Sequence, residues 1–332
     1  MLLFSNILSR VSAISLAISL CVVACGKTPD PDPDTNPSGG NTEQSVADTL
    51  SFRLMQFNIL QGGKADGTTD QAGHEWSSVR KAPCIAVIKE ANPDIMCLQE
   101  CRREQLNDLR QNLSLYTWFM YAKDGEIATG YSEGDATNDA SFKNSGHRDV
   151  IAVNYRKFKL LDWGRYWFST TPDKSTYSWD AGTPKLTLWV KLESKEYGNT
   201  FYVWCTHFFP SGDEGKKQCG IMSANRMKEI CGDNATVFFC GDLNLVQSNA
   251  ALAPLNTWMK NARSAAPDTD KSPTYTGFRT NSTTWTQIDH IYFRNAEALK
   301  YKVITEPQSG GTSVVSDHFP TYADFRIILP KE

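Results

Sequence analysis

The feature that most constrains the fold is a series of short apolar segments, rich in aromatic and β-branched residues, that recurs from Leu50 onward. Segments of this kind are typical of strands that are buried on both faces. They cover residues 52–57, 95–98, 201–205, 237–240, 285–288 and 314–315. We therefore predict that these segments are the buried strands of one or more β-sheets.

Amphipathic segments alternate with the predicted strands in the first part of the chain. The predicted helices cover residues 82–91, 103–113, 216–230 and, more weakly, 249–260. Pro83 falls in the first turn of its helix, where a missing N–H group is harmless, whereas Pro254 interrupts the weaker helix. Since neither an internal repeat nor a second linker is apparent, we expect one α/β domain over residues 50–330.

Acidic, amide and imidazole side chains follow the ends of the predicted strands. They are Asn58, Gln99, Glu100, His207, Asp242, Asn244, Asp289, Asp317 and His318. In the middle of a buried strand such groups would be unfavourable, because a buried polar group needs a partner. Grouped at one edge of a sheet, they can instead bind a metal ion and a phosphate together.

Composition excludes several classes of protein. The chain has 332 residues, of which 40% are hydrophobic, and its 37 acidic and 34 basic residues leave a net charge of −3. This balance is not that of a disordered chain or of a membrane protein with many spans. It also argues against a protein that coats nucleic acid through bulk positive charge, because such domains are usually strongly basic.

The N-terminal segment has the character of a signal peptide over residues 1–24, with Arg10 before a short apolar stretch. Small residues precede Cys25 and resemble the cleavage box of bacterial lipoproteins, which implies that Cys25 is lipidated. The alternative is an ordinary secretion signal with an incidental cysteine. Residues 25–49 are rich in Pro, Gly and Asp, and we expect a flexible tether there. These features predict an envelope lipoprotein of the outer membrane that faces either the periplasm or the cell surface.

Cysteine usage indicates buried thiols rather than a metal site. Cys97, Cys205 and Cys240 lie inside apolar segments and are interpreted as small hydrophobic residues. A zinc site is not expected, because the chain contains no CxxC pair. A disulfide between Cys205 and Cys240 stays open.

The ordered set of polar groups resembles the endonuclease/exonuclease/phosphatase superfamily, also described as similar to pancreatic deoxyribonuclease. The motifs are Asn58, Leu98-Gln99-Glu100, Thr206-His207, Gly241-Asp242-Leu243-Asn244, Ile288-Asp289 and Ser316-Asp317-His318. Each motif is weak alone, but the set spans nearly the whole domain in order. The resemblance implies a four-layer α/β/β/α sandwich of two packed, mainly antiparallel sheets flanked by helices. It also implies a divalent metal ion and the hydrolysis of a phosphate ester.

The resemblance assigns the metal ligands. It makes Glu100 the principal ligand, with Asn58 and Asp317 as further oxygen ligands. Hard oxygen donors suit Mg²⁺, which keeps several waters and bridges to a substrate phosphate. Mn²⁺ and Ca²⁺ are the alternatives, and the number of ions, one or two, stays open.

The resemblance also assigns the catalytic groups. Asp242 would orient or deprotonate the attacking water, and Asn244 would hold a phosphoryl oxygen as charge builds. Asp289 would fix the tautomer and orientation of His318. His207 is the second imidazole, and which of the two histidines acts as base and which as acid is left open.

His207 should have a carboxylate partner of its own, and the resemblance places Asp149 in that position. Relatives usually carry a glutamate there, so the shorter side chain of Asp149 leaves its reach to His207 undecided. Arg148 and Lys185 are candidate contacts for the substrate phosphate.

We therefore predict a monomeric, metal-dependent phosphodiesterase or nuclease that uses in-line attack of water. One alternative is a phosphomonoesterase for sugar, inositol or nucleotide phosphates, which a comparison of mono- and diester rates would distinguish. Another is a catalytically silent binding module on the same fold, which would bind its ligand without turnover. Small phosphate esters, phospholipid head groups and nucleic acid all remain open as substrates.

Overall fold

The structure is a computed structural model, and it describes residues 48–63, 70–122, 148–279, 281–305 and 315–329. The predicted signal peptide, the lipidated Cys25 and nearly all of the tether lie outside the described residues, as does the side chain of Arg148. Residues Val46–Glu332 form one compact unit. None of the helices in the described ranges combines the length and the apolar character needed to span a bilayer.

The domain is built on two mixed β-sheets. The first contains β1 (Thr49–Asn58), β2 (Ile95–Cys101), β3 (Tyr116–Ala122), β4 (Arg148–Asn154), β10 (Asp268–Thr269), β12 (Glu297–Val303) and β13 (Thr321–Ile328), in the order β10-β12-β13-β1-β2-β4-β3. The second contains β5 (Phe158–Trp167), β6 (Leu186–Ser194), β7 (Thr200–His207), β8 (Val237–Asp242), β9 (Lys260–Asn261) and β11 (Asp289–Arg294), in the order β5-β6-β7-β8-β11-β9. Most neighbours are antiparallel, but β1–β2 and β7–β8 are parallel pairs near the centres of the sheets. The C-terminal ends of each parallel pair therefore meet at one edge of their sheet.

Helices and single helical turns connect the strands. They are α1 (Lys81–Ala91), which continues a π-helix (Trp76–Arg80), α2 (Arg103–Asn112), α3 (Asp213–Cys231), α4 (Ala253–Trp258), which continues a 3₁₀ turn (Ala250–Leu252), α5 (Ala262–Ala265) and a 3₁₀ turn at Ser282–Thr284. Asn92 ends α1 in the left-handed conformation at φ 46°, and a capping box in which the Arg102 N–H donates to Gln105 begins α2. Apolar residues of α1 and α2 cover the first sheet, and those of α3 and α4 cover the second. This arrangement confirms the four-layer sandwich.

The core between the two sheets is rich in aromatic side chains. Phe52 lies at its centre, with its ring 5.3 Å from that of Phe201 and 5.1 Å from that of Phe238. Such stacked and edge-to-face pairs are more favourable than their buried area alone suggests. Cys97, Cys205 and Cys240 are buried in the same core. They are free thiols, as are all the cysteines in the described ranges.

Three sequence predictions of local structure are wrong. Residues 285–288 are not a strand, because the strand begins at Asp289. Val315 lies in a bend rather than a strand, and Val314 is outside the described residues. Pro254 does not interrupt a helix but lies in the first turn of α4, where a residue without an N–H group fits because that group has no intrahelical partner.

Candidate active site

The strand register brings the predicted catalytic groups together at one edge of the second sheet. Asp242, the last residue of β8, is the register partner of His207 on the parallel strand β7 and of Asp289 on the antiparallel strand β11. All three side chains are buried. Asp289 begins its strand and Asp242 ends its own, and antiparallel pairing therefore places both carboxylates at the same edge.

Two imidazoles flank Asp242. His207 Nε2 lies 3.4 Å from Asp242 Oδ2, and His318 Nε2 lies 3.6 Å from the same oxygen. On its other side, His318 Nδ1 is 2.8 Å from Asp289 Oδ2, which is a short hydrogen bond. Asp289 therefore fixes the orientation of the His318 ring and holds a proton on Nδ1.

Two further side chains, which the sequence reasoning missed, hold Asp289 in place. Gln56 Nε2 donates to Asp289 Oδ1 over 3.3 Å, and the Thr274 hydroxyl accepts the Asp289 N–H over 3.0 Å. The Gln56 amide is paired in turn with that of Gln99, whose Nε2 donates to Gln56 Oε1 over 3.0 Å. The sequence signal for these residues is a glutamine inside a strongly apolar strand, which requires a buried partner.

Asn58 connects these groups to Glu100. Its Nδ2 donates to Asp242 Oδ2 over 3.0 Å and to Glu100 Oε1 over 3.4 Å, and it lies 3.5 Å from His318 Nε2. Its Oδ1 accepts the N–H of Leu60. In this orientation Asn58 is a donor to two carboxylates, so its role as a metal ligand stays a prediction.

Glu100 lies within β2 rather than after it, because a β-bulge extends the strand beyond Leu98. Its backbone is left-handed at φ 61°, which is unfavourable for a residue with a side chain. The carboxylate is half-buried, and its Oε2 accepts the N–H of Gln61 over 3.3 Å. Bulges often re-aim a side chain next to an active site.

Asp317 and Asn244 are held by neighbouring backbone groups. The main-chain oxygen of Asp317 accepts the N–H groups of Thr276 and Gly277, and one of its carboxylate oxygens lies 3.3 Å from the Ser316 hydroxyl oxygen. Asn244 is also left-handed, at φ 51°, and its N–H donates to Asp242 Oδ1 over 3.0 Å. Its side-chain amide donates to the Phe208 carbonyl. Both residues thus lie next to the His318–Asp242 pair.

Asp149 and Lys185 reach the same region. Asp149 lies on β4, and burial raises its pKa to about 7, with the Lys185 charge opposing and the charges of Glu100 and Asp242 adding to the effect. Lys185 is itself buried just before β6. The pairing of Asp149 with His207 and the phosphate-contact roles of Lys185 and Arg148 stay predictions.

Negative charge is in excess at this site. Burial raises the pKa of Asp242, with Asp289 adding to the effect and His318 opposing it, and burial also raises the pKa of Asp317. Burial alone would lower the pKa of His318, but the charges of Asp289 and Asp242 raise it well above its ordinary value. A buried group of carboxylates that resist ionisation fits a divalent cation, which would stabilise their charged forms.

Two sets of atoms could hold that cation. Ligand atoms of Asp242, Asp289 and His318 all lie within 4.8 Å of one another. The other set is formed by Glu100 and Asp317. The negative charge of Glu100 contributes to the raised pKa of Asp317. In the first set, Asp289 and His318 are buried and already form a hydrogen bond with each other. The second set contains the half-exposed Glu100 and therefore suits an ion that keeps several waters better than the first set does.

The chain matches one protein family and is similar in fold to several solved structures. A family model described as "Endonuclease/Exonuclease/phosphatase family" matches residues 55–318. An endonuclease/exonuclease/phosphatase family protein of Bacteroides thetaiotaomicron is 22% identical with a TM-score of 0.72, and covers 85% of this chain and 100% of its own. One from Bacteroides vulgatus is 24% identical with a TM-score of 0.69 over 83% and 98% of the two chains. A mannosyl-6-phosphatase of B. thetaiotaomicron is 22% identical with a TM-score of 0.69 over 82% and 99%.

Proposed function

Since the chain belongs to the endonuclease/exonuclease/phosphatase family, we propose that it hydrolyses a phosphate ester by in-line attack of water, with a divalent metal ion bound. Members of this family are hydrolases that act on phosphate esters. The observation that carries the proposal is the placement of His207 and His318 on either side of one Asp242 carboxylate oxygen. A structural histidine needs no such arrangement, whereas water activation requires a proton acceptor and a proton donor within reach of one phosphate.

The residues have separate tasks in this proposal. Glu100 and Asp317, with Asn58 beside them, would hold Mg²⁺, with Mn²⁺ or Ca²⁺ as alternatives. When bound, the ion would neutralise charge on the phosphoryl oxygens. Asp242 accepts a proton from the attacking water or orients it. The raised pKa of His318 keeps a proton on its ring at neutral pH, which suits donation to the leaving oxygen.

The bond changes are those of a direct displacement. The water oxygen bonds to phosphorus from the side opposite the leaving oxygen, whose bond to phosphorus breaks, and the configuration inverts. Asn244 would donate a hydrogen bond to a phosphoryl oxygen as negative charge builds there. Proton transfer by positioned groups of this kind typically contributes about 10²- to 10⁴-fold in rate.

The first test measures hydrolysis of bis(4-nitrophenyl) phosphate by the full-length protein in detergent, with Mg²⁺ and with EDTA. We expect activity that EDTA abolishes and that Asp242→Asn and His318→Ala each lower by at least about 10²-fold. Asp162→Asn, on the exposed edge strand β5, is the matched control and should retain full activity. Full activity in Asp242→Asn would contradict the proposed mechanism. Tight ligand binding without turnover would instead support the catalytically silent module.

A phosphomonoesterase is the second candidate, because the similar B. thetaiotaomicron structure is a mannosyl-6-phosphatase. Both candidate activities use the same site, and their substrates differ in the number of ester groups on phosphorus. Parallel rates on bis(4-nitrophenyl) phosphate, 4-nitrophenyl phosphate and mannose 6-phosphate distinguish them. A preference for the monoesters would replace the diesterase proposal without affecting the assigned residues.

We also propose that the protein is a monomeric envelope lipoprotein of the outer membrane, anchored through Cys25. The support is the sequence pattern at residues 1–49. Metabolic labelling with a radioactive fatty acid should label the wild type and not Cys25→Ser. Equal labelling of the two proteins would exclude this anchor.

A further inference from the structure

Arg80 is a fully buried cation in the described part of the chain that the proposed chemistry does not use. It is the last residue of the π-helix Trp76–Arg80 and has a relative exposure of 0%. Its guanidinium donates five hydrogen bonds, all to main-chain carbonyl oxygens. The acceptors are His74 (2.6 Å), Ile59 (2.7 Å), Leu60 (3.1 Å), Gln61 (3.4 Å) and Val315 (3.4 Å). A buried arginine with this many backbone partners fixes several chain segments at once.

Two of those segments carry candidate metal ligands. The loop 59–61 directly follows Asn58, and Val315 lies two residues before Asp317. The Ser316 hydroxyl donates to the Asn58 carbonyl over 2.7 Å, which joins the two segments beside Arg80. Arg80 therefore fixes the relative position of two segments that lie far apart in the chain. Ser316 and Asn58, one in each segment, are separated by 258 positions in the sequence.

The loop 59–61 presents its carbonyls to Arg80 and its N–H groups to the site. The Leu60 N–H donates to Asn58 Oδ1, and the Gln61 N–H donates to Glu100 Oε2. Leu60 and Glu100 both have left-handed backbones, at φ 51° and 61°. Such conformations are unfavourable for residues with a side chain and persist only where surrounding contacts enforce them. The Arg80 hydrogen bonds to the loop are such contacts.

The charge of Arg80 acts on the site differently from its hydrogen bonds. Its guanidinium lies within electrostatic range of the Glu100 and Asp317 carboxylates, which carry like charges at one site. A fixed cation there also repels a divalent ion, so the hydrogen bonds of Arg80, and not its charge, are what can favour binding of that ion. Gly62 leaves room for this placement, because a Cβ there would lie 2.6 Å from Arg80 Nη2 and 2.4 Å from Asp70 Oδ1.

We propose that Arg80 is a positioning residue that prepares the divalent-cation site, by holding the loop 59–61 and the segment 315–317 so that Glu100 and Asp317 face one ion. The inference rests on the proposed metal dependence. In this proposal Arg80 does not contact the substrate. Replacing Arg80 should therefore change the reaction only by changing the affinity of the protein for the ion.

Direct Mn²⁺ binding to the full-length protein in detergent tests this without turnover, with free Mn²⁺ measured by electron paramagnetic resonance. We expect Arg80→Met to raise the Mn²⁺ Kd by about 10- to 100-fold, the range found when groups behind metal ligands are lost. Arg80→Lys should fall between Arg80→Met and the wild type, because its three N–H donors can serve some but not all of the five carbonyls. Under saturating Mn²⁺, the substrate KM of each variant should equal that of the wild type.

Arg53→Met is the matched control, because Arg53 also donates to a carbonyl, that of Ala91, and pairs with Asp324 away from the site. It should lower the melting temperature without changing the Mn²⁺ Kd. If Arg80→Met does not fold, Gly62→Ala crowds both the Arg80 guanidinium and the Asp70 carboxylate and should weaken Mn²⁺ binding in the same direction. A folded Arg80 or Gly62 variant with the wild-type Kd, or an equal effect of Arg53→Met, would overturn the proposal. Failure of the wild type to bind Mn²⁺ would instead contradict the proposed metal dependence.

Discussion

Gly241 links the packing of the second sheet to the site, and its replacement by alanine tests that link. It precedes Asp242 on β8 and is the register partner of Thr206 on β7. A Cβ at position 241 would lie 2.6 Å from Thr206 Cγ2 and closer still to the Thr206 carbonyl oxygen. The distance to that oxygen would be 2.4 Å and ordinary contact begins at 3.4 Å, so β7 and β8 must separate by about 1.0 Å.

The free energy of unfolding should fall as a result. Overpacking of this kind is destabilising by about 1–3 kcal/mol. The smaller entropy of the unfolded alanine chain offsets about 0.4–1 kcal/mol of that. We therefore expect a net loss of about 1–2 kcal/mol, because steric overlap with a backbone carbonyl outweighs the entropic gain.

The site should respond more strongly than the fold. The next register pair along β7 and β8 is His207 and Asp242, whose side chains are 3.4 Å apart. A displacement near 1 Å at reacting groups can lower the rate by about 10²-fold.

Urea unfolding followed by tryptophan fluorescence gives the stability of the variant, and ester hydrolysis gives kcat. Gly182→Ala is the matched control, because Gly182 is exposed and a Cβ there meets no atom within 4 Å. The control should stay within about 0.5 kcal/mol of the wild type with unchanged kcat. If Gly241→Ala behaved like Gly182→Ala in both measurements, the reasoning from strand spacing to catalysis would be refuted.

Three further outcomes follow from buried contacts. Asp289→Asn should lower kcat by about 10²- to 10⁴-fold, because the anion that orients His318 is lost. Circular dichroism checks that the variant is folded, and a loss in kcat below tenfold would contradict this role of Asp289. The pKa of His290 is lowered by burial to about 4 from 6.5, so its contribution to stability is complete above pH 6.5 and is lost as the pH falls toward 4. His290→Gln should remove roughly 2–3 kcal/mol of the difference in unfolding free energy between pH 7 and 4.5, and an unchanged difference would show that His290 titrates normally. Phe52→Ala should lower the unfolding free energy by about 3–5 kcal/mol in urea denaturation, whereas a loss under 1 kcal/mol would mean that the core between the sheets collapses around the gap.

Sequence pattern was sufficient for the class of fold and for the family. Apolar strands such as Val237–Cys240, each followed by a polar group, predicted buried sheets with a polar edge, because burial on both faces leaves little other choice of residue. The order of the motifs predicted the family and the groups Asp242 and His318. Helix α2 was also predicted closely, because its capping residues lie within the same short segment.

Tertiary structure decided how those groups meet. The register of β8 against β7 and β11, the bulge that turns Glu100 toward Asn58, and the buried Arg80 all depend on contacts between distant segments. Local sequence carries no information on such pairing, because the same apolar strand is compatible with several neighbours and registers. The sequence alone thus determined which side chains the domain has available, whereas only the packing of two sheets and a buried arginine set the distances that could make them act together.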